Sequence, residues 1–201
     1  MPPFKKTKIE LKTQRDALGR FERFLPMLQL KKQQLQAEMQ VIQQAMDQVR
    51  AEDDALRAAA RSWTALFPEG AEALKTLVTT DKIDIGDANI AGVTIPVFGS
   101  IAFRPSELDL FDTPPWLDDA RELVKKLAEN RVRRRVLERQ HELLGDELRT
   151  TSQRVNLFEK VKIPECREKI RVIKIFLGDL MTAEVSRGKA AKKVGLREDA
   201  A

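Results

Sequence analysis

The sequence predicts a mainly α-helical protein: an N-terminal and a C-terminal long helix form an antiparallel coiled coil, with a small head containing a short β-hairpin between them. Three observations predict this fold class. The 201-residue chain is 33% charged and 5% aromatic, and helix-forming residues dominate its composition. Apolar residues repeat in heptads towards both ends of the chain. β-Branched residues are concentrated in the middle.

The first long helix is predicted within residues 1–68. From Ile9 to Leu56, apolar side chains recur at alternating steps of three and four residues, and Gln, Lys, Arg and Glu fill the positions between them. Pro68-Glu69-Gly70 ends this pattern. The residues predicted to form the coiled-coil seam of this helix are Leu11, Leu18, Leu25, Leu28, Leu35, Ile42 and Val49.

The head is predicted within residues 69–115. A short helix is expected over Ala71–Thr80, and isoleucines and valines with period-two spacing follow it. Gly86-Asp87, Gly92 and Gly99-Ser100 are expected to supply turns. These features predict one or two short hairpins.

The second long helix is predicted over residues 116–193, with a frayed basic tail at 194–201. Its seam residues are expected to be Leu148, Val155, Ile163, Ile170, Ile173 and Leu177. Pro26 and Pro164 interrupt the helical patterns, so a bend is expected at each.

The two helices are expected to pack against each other within one chain. A lone helix would leave its apolar stripe in water, at a cost of about 25 cal/mol per Å². Parallel self-dimerisation is the competing arrangement, but the head would then have to cap two pairs of helices. The chain is therefore expected to be monomeric when isolated.

The sequence offers little material for catalysis. It has no phosphate-binding glycine loop and no Cys/His cluster, so no catalytic residue, cofactor or metal is expected. Cys166 and His141 both fall at seam positions, where packing is the simpler interpretation. No signal peptide or membrane span is apparent, which predicts a cytoplasmic protein, peripheral to the membrane if it belongs to a membrane complex.

Four arginines, Arg131, Arg133, Arg134 and Arg135, form the densest basic cluster. They could bind phosphate or contact an acidic partner, or they could form a solvated helix face paired with Glu129 and Glu138. The net charge of +5 arises from 36 basic and 31 acidic residues. Because the two signs are mixed and aromatic interleaving is missing, nucleic-acid binding is not expected.

One segment of the second helix resembles a known family. Residues 154–164 read RVNLFEKVKIP, which is similar to the R-V-N-A-L-E-x-x-x-I-P signature of the D subunits of V-type and archaeal-type (A-type) ATPases. Residues 28–35 and 89–96 resemble that family's first helix and its insertion strand. The signature residues are Arg154, Val155, Asn156, Glu159, Ile163 and Pro164.

The resemblance implies a central rotor shaft, or central stalk, without catalysis of its own. Its paired terminal helices would insert into a hexamer of catalytic A subunits and B subunits. Its head would bind the small F subunit of the rotor, and one region would dock onto the funnel-like subunit above the membrane ion ring. One copy per complex is expected. A static coiled-coil scaffold, tether or chaperone is the competing interpretation of the same heptads.

Overall fold

The computed structural model describes residues 4–61, 78–105, 114 and 116–198, with side chains described as far as residue 192. Helix α1 spans Lys8–Ala60, and strands β1 and β2 span Thr80–Ile90 and Val93–Phe103. Helix α2 spans Trp116–Leu157 and helix α3 spans Ile163–Glu198. The predicted fold class is confirmed: most of the described residues lie in long helices, and the two strands form an antiparallel hairpin.

The chain divides into two compact units. Unit 1 contains residues 1–31 and 151–201, and unit 2 contains residues 32–150. None of the described helices has an apolar stretch long enough to cross a membrane.

In unit 1, the first part of α1 packs antiparallel to residues 158–176. The rings of Phe21 and Phe158 lie 4.9 Å apart between centroids, and Arg167 donates a hydrogen bond of 2.8 Å to Glu22. Further along α3, the Lys6 ammonium lies 5.3 Å from the centre of the Phe176 ring. Between Phe158 and Phe176 the contacted residue changes from Phe21 to Lys6, which lies before α1 begins. The two segments therefore run in opposite directions.

A single turn of π-helix, Phe158–Lys162, joins α2 to α3. Its wider geometry is shown by the Ile163 N–H, which donates to the carbonyl of Phe158 five residues earlier. Pro164 follows directly and has no N–H to continue the α-helical pattern. A wider turn carries the preceding carbonyls away from the proline ring, which explains the π-helix at this place. Pro26 lies inside α1, which continues as one helix through it.

In unit 2, α1 and α2 also run in opposite directions. Leu35 and Ile42 of α1 form a buried cluster with Leu144 of α2. Farther along α1, Leu56 shares a surface depression with Asn130 of α2. Residue numbers therefore rise along one helix and fall along the other.

The hairpin turn is held by Ala91 and Gly92. Both have positive φ angles, 51° and 83°, as a two-residue type I′ turn requires. The Gly92 N–H donates a 3.0 Å hydrogen bond to the Asn89 side chain. This turn places Ile90 opposite Val93 and sets the register of the remaining pairs.

The observed hairpin differs in part from the predicted head. There is one hairpin in the described residues, and its strands have 11 residues each, longer than expected. The turns predicted at Gly86-Asp87 and Gly99-Ser100 are wrong, because these residues lie inside the strands. Gly86 pairs with Val97, whereas Gly99 is skipped where the register shifts between Asp84 and Ile85. Glycine suits that bulge because an added Cβ would lie 3.0 Å from the Asp84 side chain.

Other predicted parts of the head fall mostly outside the described residues. The helix predicted over Ala71–Thr80 covers residues 71–77, which the structure does not describe, and Thr80 itself begins β1. The breaker at residues 68–70 also lies outside the described residues. The predicted domain boundaries, including the tail at 194–201, stay predictions.

The hairpin lies along the helices of unit 2. Ile95 of β2 is 2% exposed and joins the cluster of Leu35, Ile42 and Leu144. The side chain of Gln140, on α2, donates a hydrogen bond to the carbonyl of Pro96. Since proline has no N–H, this residue suits the edge of the hairpin that faces α2.

Replacement of Ile173 by alanine tests the packing of unit 1. Ile173 is completely buried, whereas Ile175, two residues later, is 51% exposed. We expect Ile173→Ala to lower the free energy of unfolding by about 3 kcal/mol, because a cavity is added to the lost burial. Ile175→Ala, the matched control, should change it by less than about 0.5 kcal/mol. Urea unfolding followed by circular dichroism measures both, and equal losses would contradict the packing described.

Candidate functional site

None of the predicted seam residues is exposed. Leu35, Ile42, Val49, Val155, Ile163, Ile170 and Ile173 are buried. The remaining six are half-buried: Leu11, Leu18, Leu25, Leu28, Leu148 and Leu177. The seam is therefore a packing feature in each unit, and functional surfaces have to be sought on the other faces of the helices.

The family-signature segment has two kinds of side chain. Val155 and Ile163 are buried, while the remaining signature residues are exposed: Arg154, Asn156, Glu159 and Pro164. The π-helical turn Phe158–Lys162 lies within this segment. The exposed members are thus available to another protein on both sides of that turn.

Beyond the signature, α3 carries apolar side chains on an open surface. Every residue from 178 to 192 is exposed. Large apolar residues nevertheless recur at helical spacing in this range and just before it. Those at least 39% exposed are Ile175, Phe176, Leu180, Met181 and Val185. Lys6 lies over the Phe176 ring, but Leu180, Met181 and Val185 are exposed, which makes the end of α3 a candidate contact surface.

The arginine cluster of α2 divides into two pairs with different surroundings. Arg133 forms an ion pair of 2.8 Å with Glu129, and its guanidinium lies 5.4 Å from the centre of the Phe98 ring. Arg134 pairs with Glu138 at 3.4 Å. Arg131 and Arg135 are exposed and make no ion pair with any residue that the structure describes. The self-paired helix face therefore accounts for two of the four arginines.

Arg131 and Arg135 border a groove between the hairpin and α2 within unit 2. Its volume is about 560 Å³. The sequence alone does not reveal it, because five of its eleven lining residues come from the hairpin, whose register depends on one turn and one bulge. The groove residues are Thr80, Ile83, Ile85, Pro96, Ile101, Ala128, Arg131, Val132, Arg135, Val136 and Arg139.

A second depression in unit 2 surrounds a buried carboxylate. Asp53 is 8% exposed and lies 3.7 Å from the Arg57 guanidinium. Its other oxygen, Oδ1, is buried without a hydrogen-bond partner. The surrounding cavity of about 420 Å³ contains both acidic and basic side chains, so its charges largely compensate one another.

The one cysteine is in a packed position. Cys166 is 6% exposed in unit 1, and burial raises the pKa of its thiol. A raised pKa lowers the fraction of thiolate, the reactive form. His141 is half-buried in unit 2. Among the described residues, no group of three or more His, Cys, Asp and Glu side chains could hold a metal ion.

Comparisons with known proteins agree with the signature. A family model for the D subunit of ATP synthase matches residues 10–193. The chain is 42% identical over 192 residues to the D subunit of a V-type ATP synthase from Borreliella burgdorferi, covering 96% of this chain and 95% of the relative. A protein of the same description from Chlamydia felis is 34% identical, covering 94% of this chain and 92% of the relative. One from Chlamydia trachomatis is 33% identical, with 94% of each chain covered.

The reactivity of Cys166 tests its placement in unit 1. We expect the native thiol to react with Ellman's reagent at least about tenfold more slowly than the thiol in urea, because it is buried and its pKa is raised. The control is Met181→Cys in a Cys166→Ala background, since Met181 is 52% exposed. That thiol should react at nearly the same rate with and without urea. A fast native reaction of Cys166 would contradict its burial.

Proposed function

The chain belongs to the family of ATP synthase D subunits, and we propose that it is the central rotor shaft of a V-type or A-type ATPase or ATP synthase. In this role it couples ATP hydrolysis or synthesis in a hexamer of A and B subunits to ion translocation through a membrane ring. Rotation of the shaft carries the coupling.

The observation that carries this proposal is the antiparallel pairing of long helices in both units. Helix α1 alone has 53 residues, about 80 Å at 1.5 Å per residue. Two helices that share a buried seam resist bending and twisting better than one helix, because deformation would expose apolar side chains. Transmission of torque requires such stiffness.

The side chains fit a protein that leaves ATP chemistry to its neighbours in the complex. Cys166 is packed in the seam with a raised thiol pKa, and the carboxylates of Glu165 and Glu168 have lowered pKa values because lysine and arginine neighbours hydrogen-bond to them. These groups stabilise helices. We therefore propose that this chain contributes no catalytic residue.

The surfaces suggest an assignment of partners. The apolar stripe at the end of α3 suits insertion into the collar of A and B subunits, where it would be covered. The hairpin and the helices of unit 2 offer separate surfaces for the small F subunit of the rotor and for the funnel-like subunit above the ion ring. We propose one copy of the chain per complex, peripheral to the membrane on the cytoplasmic side.

Reconstitution with the A and B subunits of the same organism tests assembly. We expect one copy per hexamer by native mass spectrometry, and no assembly with Ile173→Asp, because a carboxylate in the completely buried seam is strongly unfavourable. Lys174→Asp is the control on the neighbouring exposed position. It should remain helical and assemble. One copy for each of the A subunits, or no association of the unsubstituted chain, would refute the shaft proposal.

A reversible crosslink distinguishes a rotor from a static tether. In a Cys166→Ala background, Met181→Cys is oxidised to a disulfide with a cysteine introduced into one of the facing B subunits. We expect oxidation to abolish ATP hydrolysis and a reductant to restore it, because a tethered shaft cannot turn. The single-cysteine chain, with unsubstituted B subunits, controls for oxidation damage. A crosslinked complex with full ATPase activity would indicate a static scaffold.

A further inference from the structure

The groove between the hairpin and α2 has properties of a docking site. Ile83 and Ile85 of β1 are 43% and 50% exposed, although both border it. On the opposite wall, Ala128, Val132 and Val136 of α2 supply apolar side chains. Both walls belong to unit 2.

The polar rim of the groove has a single sign of charge. Arg131, Arg135 and Arg139 contribute to the lining, and the lining contains no acidic residue among those described. Arg139 is paired with Glu142 on its own helix, while Arg131 and Arg135 have no ion-pair partner in the part of the chain that the structure describes. The guanidinium groups of Arg131 and Arg135 are therefore available to pair with carboxylates from another protein.

The spacing of the arginines matches a helix better than an extended strand. Successive arginines are four residues apart on α2, which places them about 6 Å apart along the helix axis. A second helix lying along α2 would present carboxylates at the same interval from positions four residues apart. Its apolar face would then lie over Ile83 and Ile85, as in other helix-in-groove complexes.

We propose that this groove binds an acidic amphipathic helix of a partner protein, with Arg131 and Arg135 as the residues that select for acidic charge. The arginine cluster then has two roles. Arg133 and Arg134 stabilise the surface of α2 through Glu129 and Glu138, and Arg131 and Arg135 recognise the partner. This inference does not depend on rotation, because it concerns a groove formed within unit 2 of the isolated chain.

Synthetic peptides provide the direct test with the full-length protein. Two stapled helical peptides of about 18 residues share the same leucine face. One carries glutamate at every flanking position, and the other carries lysine. Fluorescence anisotropy should show that the acidic peptide binds at least about tenfold more tightly than the basic peptide. No binding of the acidic peptide, or equal binding of both, would overturn the proposal.

Charge reversal locates the site. The variant Arg131→Glu/Arg135→Glu should weaken binding of the acidic peptide at least about tenfold. Arg134→Glu/Arg149→Glu is the matched control, because it changes the net charge equally at exposed positions outside the groove. This control should leave affinity within about twofold. Equal losses in both variants would mean non-specific attraction to a basic protein and would overturn the assignment.

The apolar wall is tested separately. Ile85→Asn should weaken binding, whereas Val97→Asn should not, since Val97 is 39% exposed on the same hairpin but does not line the groove. Unchanged affinity of Ile85→Asn would overturn the proposed orientation of the helix. Sedimentation equilibrium of the chain alone checks the competing occupant. A dimer that dissociates on Arg131→Glu/Arg135→Glu would show that a second copy occupies the groove, which would also overturn the proposal.

Discussion

Burial of one apolar seam between long helices is the constraint on which the rest of the structure depends. Each helix is rich in charge, so its apolar stripe is the part that favours tertiary packing. Ile173 in unit 1 is completely buried, and so are Leu35 and Leu144 in unit 2. The hairpin is held by the same constraint, because Ile95 packs into the cluster formed by Leu35 and Leu144.

Two polar side chains, Asp53 and Gln140, are buried within this packing. Asp53 is buried with one carboxylate oxygen unpartnered, which costs stability unless another interaction compensates. Gln140 is also buried, but its side chain bonds the carbonyl of Pro96. The two residues have different consequences: Gln140 fixes the hairpin on α2, while Asp53 leaves one buried carboxylate oxygen unpaired.

Heptad spacing was sufficient to predict the two long helices, because apolar periodicity over many turns is a strong local signal. The hairpin was predictable as an element but not in its length. Gly86 and Gly99 have the same local turn signal as Gly92, and only the cross-strand pairing distinguishes a bulge from a turn. The groove between the hairpin and α2 cannot be predicted from the sequence for the same reason. Ile83 and Arg131 are far apart in the chain, and their proximity depends on how the hairpin packs on α2.

The end of α3 is a helix with exposed apolar side chains, which bears on how the chain assembles with other proteins. Isolated helices of this length are marginal in water, since tertiary packing supplies most helical stability in proteins. Yet residues 178–192 are helical and exposed, and Leu180, Met181 and Val185 continue the apolar periodicity that begins at Ile173. A seam that extends past its partner helix is unfavourable in the free chain. It becomes favourable when another protein covers it, so the same hydrophobic effect that pairs the helices also favours contact between this end and a partner.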